Sequence, residues 1–120
     1  MASEEGQVIG CHTVDQWKEH FDKARASGKL TVVDFTASWC GPCRFIAPIL
    51  ADTAKKMPHV IFLKVDVDEL KSVSEDYKVE AMPTFVFLKE GNEVHRVVGA
   101  KKDELLIAIN NHASASTMTA

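Results

Sequence analysis

The sequence predicts an α/β domain in which a mixed sheet of five strands carries helices on both faces. Two observations predict this class. Apolar, β-branched runs alternate with segments whose apolar residues recur at helical spacing, in the order βαβαβαββα. No linker or internal repeat divides the 120 residues, which are one domain's worth of chain. We therefore expect a single domain over residues 1–120, with a core of about 8–112 and flexible ends at 1–7 and 113–120.

The first strand and the first helix are predicted between residues 8 and 28. Residues 8–12 (VIGCH) are a short strand candidate. Thr13 is followed three residues later by Gln16, which is the pattern of a capping box at a helix N-terminus. Gly28 stands where a helix C-cap belongs. The apolar face of this helix consists of Val14, Trp17, Phe21 and Ala24.

The middle of the chain predicts two buried strands with a helix between them. Residues 30–37 (LTVVDFTA) and 60–67 (VIFLKVDV) are near-continuous apolar runs, as expected for strands of a parallel sheet. The helix begins at a Cys-Gly-Pro-Cys turn and ends before Pro58, and Pro48 inside it should produce a kink. Its apolar stripe consists of Phe45, Ile46, Ile49, Leu50 and Met57.

The last third of the chain predicts a short helix, a hairpin and a final helix. Asp68 is the expected N-cap of the short helix. Residues 84–88 and 93–98 are separated by so short a turn that they should form an antiparallel hairpin. The last helix follows Gly99. The core contacts of the two helices are Leu70, Val73 and Tyr77, and then Leu105, Leu106 and Ile109.

Composition and charge argue against several classes of protein. The chain has 14 basic and 17 acidic residues and a net charge of −3, whereas nucleic-acid binders carry a basic excess. No apolar run approaches the ~20 residues that span a bilayer, so no membrane contact is expected. The amino terminus lacks the basic and apolar stretches of a secretory signal. We therefore expect a cytoplasmic protein in which three cysteines do not form a structural scaffold and any cysteine chemistry is reactive.

The strongest chemical signal is the run Trp39-Cys40-Gly41-Pro42-Cys43, which lies between a strand and the start of a helix. Two cysteines at this spacing can close a small disulfide ring or open to a dithiol. The free N–H groups and the dipole of the helix start stabilise a thiolate, which predicts Cys40 as the nucleophile. Cys43, one turn further in, should be more buried and act as the resolving cysteine. Gly41 permits a tight turn, and Pro42 suits the first turn of a helix.

Zinc binding is the alternative for a Cys-x-x-Cys pair. A zinc ribbon needs a second such pair, which the sequence lacks, and its five histidines do not have the spacing of metal ligands. The strand-to-helix setting favours redox chemistry. No metal and no bound cofactor are therefore expected.

The segment FTASWCGPCRFIAP and the downstream MPTF resemble those of thioredoxins, and the flanks VDFTASWCGPCRFIAP and FLKEG are similar to the plant cytosolic h-type. The resemblance covers about residues 8–112. It implies a thioredoxin fold and a protein disulfide reductase that donates electrons to disulfide-containing target proteins. An NADPH-dependent thioredoxin reductase would reduce it in turn, so that only this partner uses NADPH. Thr36 stands where many family members have a tryptophan, which bears on the subgroup more than on the function.

The resemblance also implies roles for individual residues. Cys40 matches the nucleophile, and Cys43 matches the resolving cysteine. Asp34 matches an aspartate beneath the disulfide, where burial would raise its pKa and let it exchange a proton with Cys43 through water. The alternative for Asp34 is an exposed or hydrogen-bonded acid. Lys64 matches a lysine beside this aspartate, and the alternative is an ordinary surface lysine.

An apolar surface around the disulfide follows from the same resemblance. Pro83 is expected in a cis peptide bond that faces the cysteines, with the backbone of Met82 free to pair with an extended target segment. Trp39, taken alone, fits the core equally well, but its position before the nucleophile favours the rim. The expected substrate-binding surface consists of Trp39, Gly41, Pro42, Ala81, Met82, Pro83, Val98, Gly99 and Ala100.

Some alternatives stay open from the sequence. Cys11, on an expected edge strand, is either a small buried hydrophobe or a thiol for mixed or intermolecular disulfides. A monomer is expected, with a Cys11-linked dimer as the alternative. A disulfide oxidase or isomerase would use the same dithiol at a higher potential, whereas a binding module would use the apolar rim without the thiols. The proline in the ring argues against the former, and the presence of both cysteines with Asp34 argues against the latter.

Overall fold

A computed structural model describes residues 5–118 of the chain, with side chains described as far as residue 113. The strands are β1 (Val8–Cys11), β2 (Thr31–Thr36), β3 (Ile61–Asp66), β4 (Thr84–Lys89) and β5 (Asn92–Val98). The helices are α1 (Val14–Ser27), α2 (Gly41–Lys56), α3 (Lys71–Asp76) and α4 (Lys102–Met118). This order confirms the predicted alternation of elements.

The five strands form one mixed sheet in the order β1-β3-β2-β4-β5. β3 pairs in parallel with both β1 and β2, whereas β4 is antiparallel to β2 and to β5. Parallel pairing sets the ends of β2 and β3 at the same edge of the sheet, with Thr36 opposite Asp66. Antiparallel pairing brings the start of β4 and the end of β5 to that edge, since Thr84 lies opposite Phe35 and Val98.

A hydrophobic core lies on each face of the sheet, which explains why all six residues of β2 are buried. Successive side chains of a strand point to opposite faces, so Val32 and Val33 belong to different clusters. The first cluster packs beneath α2 and α4 and includes Val32, Ile46, Leu50, Phe62, Phe85 and Leu105. The second packs beneath α1 and α3 and includes Trp17, Val33, Phe35, Leu63, Val73 and Val86.

Local sequence rules predicted the ends of α1 correctly. The Oγ1 of Thr13 accepts the N–H of Gln16 at 3.1 Å, and Gly28 adopts the left-handed backbone with φ 72°. The Gln16 side chain accepts the N–H of His12, one residue before the cap, at 2.7 Å. Val14 differs from prediction because it is 39% exposed, as it lies at the helix start beyond the edge of the core.

Three predictions about side chains in the other helices were wrong. Leu106 of α4, predicted as a core contact, is half-buried and is not among the residues of either core cluster. Asp68 does not cap α3, whose N-cap is Leu70 with no side-chain hydrogen bond, because the chain first makes a turn held by Asp66. Phe45 is 59% exposed rather than part of the inner stripe of α2. It lies three and four residues after the exposed Pro42 and Gly41 and therefore shares their outer face. The buried stripe is Cys43, Ile46, Leu50 and Ala54.

The last helix is longer than the sequence predicted. The backbone of α4 is helical as far as Met118, beyond residue 112, where we expected the core to end. Residues 1–4 and 119–120, part of the ends expected to be flexible, lie outside the described residues. Among the helices of residues 5–118, none has both the length and the apolar character that crossing a membrane requires.

Candidate active site

Cys40 and Cys43 form a disulfide at the point where β2 leads into α2, with their Cα atoms 5.3 Å apart. Cys40 is the N-cap residue of α2, and Pro42 lies in the first turn. The backbone N–H of Cys43 donates a hydrogen bond to the Sγ of Cys40 at 3.2 Å. The first turn of α2 contains no acidic residue, so no negative charge within it offsets the helix dipole. This geometry favours negative charge on the Cys40 sulfur.

The two cysteines are equally buried in the disulfide form, each 4% exposed. The prediction that Cys43 is the more buried of the two is therefore wrong. Cys40 is covered from the other side, because the carbonyl oxygen of Met82 lies 3.6 Å from its sulfur. Ala37 completes this small cluster, against which Met82 packs.

The segment before β4 faces the disulfide, as the resemblance implied. The Met82–Pro83 peptide bond is cis, and Pro83 is buried. The N–H of Gly99 donates to the carbonyl oxygen of Pro83 at 2.8 Å, which attaches the end of β5 to this segment. The hydroxyl of Thr84 stabilises the turn of this segment by donating a hydrogen bond to the carbonyl oxygen of Ala81 at 2.6 Å.

The residues expected to form the substrate-binding surface differ in exposure. Trp39 is 64% exposed and Val98 is 46% exposed, which excludes a core position for Trp39. Gly41, Pro42 and Ala81 are exposed, whereas Met82, Gly99 and Ala100 are half-buried. Ala100 packs against the core cluster beneath α2 and α4.

Asp34 lies in the middle of β2 on the face covered by α2, the helix that carries Cys43. It is 3% exposed, and its Oδ1 has no hydrogen-bond partner among the described residues. Burial raises the pKa of Asp34 to about 7, and the positive charge of Lys64 lowers it in part. Lys64 is opposite Asp34 in the β2–β3 register and is exposed. The alternative of an exposed acid at position 34 is thus excluded.

A cleft of about 470 Å³ opens beside Cys43 on the same side of the sheet. Thr36, Arg44 and Lys64 line it in part. Cys43 and Cys11 also line this cleft. Within residues 5–118, no group of three histidine, cysteine or acidic residues is placed to hold a metal ion.

Sequence reasoning missed two contacts that fix the segment before Cys40. The Nη1 of Arg44 donates to the carbonyl oxygen of Ser38 at 2.9 Å, and the Nε1 of Trp39 donates to Oδ2 of Asp68 at 2.9 Å. The Trp39–Asp68 contact depends on tertiary folding, since the two residues are 29 positions apart and no local pattern marks the pair. Arg44 and Ser38 are only 6 positions apart, across the turn into α2.

Cys11, the third cysteine, is not part of the disulfide. It is fully buried in the core cluster beneath α1 and α3, although β1 is an edge strand. Burial raises the pKa of its thiol to about 11. The thiolate needed for disulfide exchange is therefore scarce at neutral pH, which favours the role of a small buried hydrophobe.

Comparisons with known proteins identify the family. The family model described as Thioredoxin matches residues 9–111. The chain belongs to the thioredoxin family. It is 71% identical over 119 residues to Thioredoxin H-type 1 of Nicotiana tabacum, an alignment that covers 99% of this chain and 94% of that protein. It is 68% identical over 112 residues to Thioredoxin H1 of Arabidopsis thaliana, covering 93% and 98% of the two chains.

A solved structure supports the same assignment. The crystal structure of thioredoxin NaTrxh from Nicotiana alata matches with a TM-score of 0.87 and 48% identity, covering 92% of this chain and 96% of that one. Thioredoxins are thiol-disulfide oxidoreductases that act with thioredoxin reductase and disulfide-containing targets. The chain is accordingly a protein disulfide reductase that cycles Cys40 and Cys43 between a dithiol and a disulfide. The predicted family, fold and activity are confirmed.

Burial of Asp34 predicts an unusual dependence of stability on pH. Because the folded protein has the higher Asp34 pKa, about 7 against 3.8, it binds the proton more tightly than the unfolded chain does. The Asp34 contribution to the free energy of unfolding therefore falls as pH rises through this window. The Asp34→Asn variant should gain stability over the wild type by roughly 2–4 kcal/mol between about pH 4 and pH 8.

Urea unfolding of the oxidised proteins across this pH range measures the effect. The cost of burying the new amide does not depend on pH, so only the change with pH reports on the carboxyl group. Asp22→Asn is the matched control, because it removes an acid from an exposed ion pair with Arg25. A difference between Asp34→Asn and wild type that stays constant with pH would contradict the raised pKa.

Proposed function

We propose that Cys40 makes the first attack on the target disulfide and that Cys43 completes the reaction. The Cys40 thiolate attacks one sulfur of the target, the target S–S bond breaks, and the other target sulfur leaves as a thiolate that takes up a proton. Cys43 then loses its proton and attacks Cys40. This second step forms the Cys40–Cys43 disulfide and releases the target dithiol. Two electrons have passed to the target, and the dithiol of thioredoxin reductase restores them.

The assignment of Cys40 as the nucleophile rests on the hydrogen bond that its sulfur accepts from the Cys43 N–H at 3.2 Å. A backbone N–H at a helix start stabilises the thiolate over the thiol, and thioredoxins are themselves a known case of a lowered cysteine pKa. Cys43 lies inside α2 within disulfide-bonding distance of Cys40, which supports its role as the cysteine that attacks Cys40.

We infer that Asp34 accepts the proton that Cys43 loses. A carboxyl group whose pKa is about 7 holds or releases a proton readily at neutral pH. It lies on the face of β2 that is covered by α2, the helix that carries Cys43, and a water molecule between the two groups would relay the proton. Lys64 modulates this step, because its charge opposes the effect of burial on the Asp34 pKa.

The proposed docking site for targets is the apolar surface around the disulfide. The carbonyl of Met82, 3.6 Å from the Cys40 sulfur, belongs to backbone that an extended target segment would reach in order to present its disulfide. Trp39 and Val98 supply exposed apolar area to this surface. Val98 is the last residue of β5, and Gly99, which follows it, donates its N–H to the carbonyl oxygen of Pro83.

The remaining features of the proposal concern the setting of the protein. Its h-type relatives support a cytoplasmic location. NADPH acts only through the reductase, and this chain carries its electrons on the cysteine pair without a bound cofactor. Full burial of Cys11 supports a monomer over a dimer linked through that thiol.

Insulin reduction driven by NADPH and thioredoxin reductase tests the activity. The wild type should oxidise NADPH in the presence of insulin, and the Cys40→Ser variant should show no activity above background because no other thiol makes the first attack. Cys11→Ser serves as the matched control and should retain wild-type activity, since Cys11 is fully buried and outside the disulfide. Surviving activity in Cys40→Ser, or none in folded wild type, would contradict the proposal.

The order of attack predicts a second result. In the Cys43→Ser variant the mixed disulfide between Cys40 and a target cannot be resolved, so it should accumulate. Incubation with oxidised insulin, followed by nonreducing mass spectrometry, should show a covalent adduct that dithiothreitol releases. If the Cys40→Ser variant traps insulin instead, the two roles are reversed.

A further inference from the structure

Trp39 is the largest exposed apolar side chain beside the nucleophile, and its placement is fixed from within the protein. It is 64% exposed, yet its Nε1 donates a hydrogen bond of 2.9 Å to the Oδ2 of Asp68. The indole N–H is the only polar group of a tryptophan side chain. Since Asp68 occupies it, the part of Trp39 that faces solvent is entirely apolar.

The loop that carries Asp68 is held in place by hydrogen bonds to Asp66 at the end of β3. The Oδ1 of Asp66 accepts the N–H of Asp68 at 2.8 Å and that of Glu69 at 3.4 Å. Its carbonyl oxygen accepts the N–H of Leu70 at 2.9 Å. Val67 extends the ladder between β2 and β3 by donating to the carbonyl oxygen of Thr36 at 2.9 Å. The Asp68 carboxylate is thus presented from the rigid edge of the sheet.

The segment that carries Trp39 has fewer restraints. The N–H of Cys40 donates to the carbonyl oxygen of Ala37 at 3.2 Å, and Arg44 holds the carbonyl of Ser38 at 2.9 Å. These bonds fix the backbone but not the indole. Among the described residues, the hydrogen bond from the indole N–H to Asp68 is the one that restrains the ring of Trp39. Without it, the ring would rotate and would lose that freedom only when a target binds.

We propose that Asp68 is a positioning residue for protein targets: it holds the Trp39 indole as a preformed apolar contact beside Cys40. The inference rests on the proposed function, in which Cys40 attacks target disulfides. It adds a distinction between substrates. The rate at which Cys40 reacts with a protein that contacts Trp39 should depend on Asp68. The rate with a small disulfide that reaches Cys40 without touching Trp39 should not.

Single-turnover oxidation of the prereduced protein tests this without the reductase, so that an effect of the variants on their reduction by that partner does not enter the measured rate. The two oxidants are insulin and bis(2-hydroxyethyl) disulfide, which is small and uncharged. We expect Asp68→Ala to lower the rate with insulin by about 3- to 10-fold, the loss of one positioning hydrogen bond. The rate with the small disulfide should stay within about 2-fold of wild type.

Three further variants distinguish the positioning of the Trp39 indole from the effect of the Asp68 charge and from nonspecific destabilisation. Asp68→Asn loses the charge but keeps an oxygen that accepts the indole N–H, so it should restore most of the insulin rate. Asp76→Ala removes an exposed acid from α3 and should behave as wild type. In a Trp39→Phe background, which lacks the N–H, Asp68→Ala should cause no further loss.

The indole N–H of Trp39 provides a spectroscopic check. Its exchange with solvent, followed by nuclear magnetic resonance, should be slow in wild type and Asp68→Asn and fast in Asp68→Ala. Equal losses in Asp68→Ala and Asp68→Asn, an equal loss with the small disulfide, or a full loss in the Trp39→Phe background would overturn the inference. A wild type that neither substrate oxidises would instead contradict the proposed function.

Discussion

The hydrogen bond from the Cys43 N–H to the Cys40 sulfur is the interaction on which the reactive site depends. It exists because the short segment 37–40 leads from β2 into α2 and ends with Cys40 at the capping position of the helix, which serine or aspartate often occupies. A cap of this kind makes the sulfur an acceptor for backbone N–H groups and aligns it with the helix dipole. The same feature that starts the helix thus favours the reactive thiolate.

The topology of the sheet brings the other parts of the site to this helix start. β2 and β3 end at one edge, and antiparallel pairing places the start of β4 and the end of β5 there as well. Four segments distant in sequence consequently surround one disulfide. Asp34 is buried within the sheet, and the carbonyl oxygen of Met82, in the segment before β4, contacts the Cys40 sulfur. The exposed apolar surface around the disulfide adjoins these segments, and its Trp39 indole is hydrogen-bonded to Asp68 in the loop after β3.

The residues that could be predicted from the sequence are those governed by local rules or by the family motif. Thr13, Gly28 and Pro42 occupy the helix ends that their backbone preferences indicate. The cis bond before Pro83 followed only from the resemblance, because sequence alone gives this geometry in about 5% of cases. The burial of Asp34 could be inferred from its place in an apolar strand, but the missing partner of its Oδ1 could not.

What could not be predicted depends on contacts between distant segments. Asp68 has the residue type of a helix cap, but its N–H donates to Asp66 in a turn and its carboxylate accepts the indole N–H of Trp39. Phe45 has the residue type of a core position, but the path of α2 turns it outward. The equal burial of Cys40 and Cys43 arises because the Met82 segment, 42 residues from Cys40, covers the first cysteine.

The pKa of Cys40 in the reduced Cys43→Ser protein is the most direct measurement of the central claim. The ultraviolet absorbance of the thiolate follows the titration, and Cys11 does not interfere at neutral pH because burial raises its pKa to about 11. The backbone N–H at position 43 is retained in this variant, so the Cys40 pKa should lie clearly below the ~8.5 of a free cysteine. A value at or above that of free cysteine would contradict the claim that the start of α2 activates Cys40.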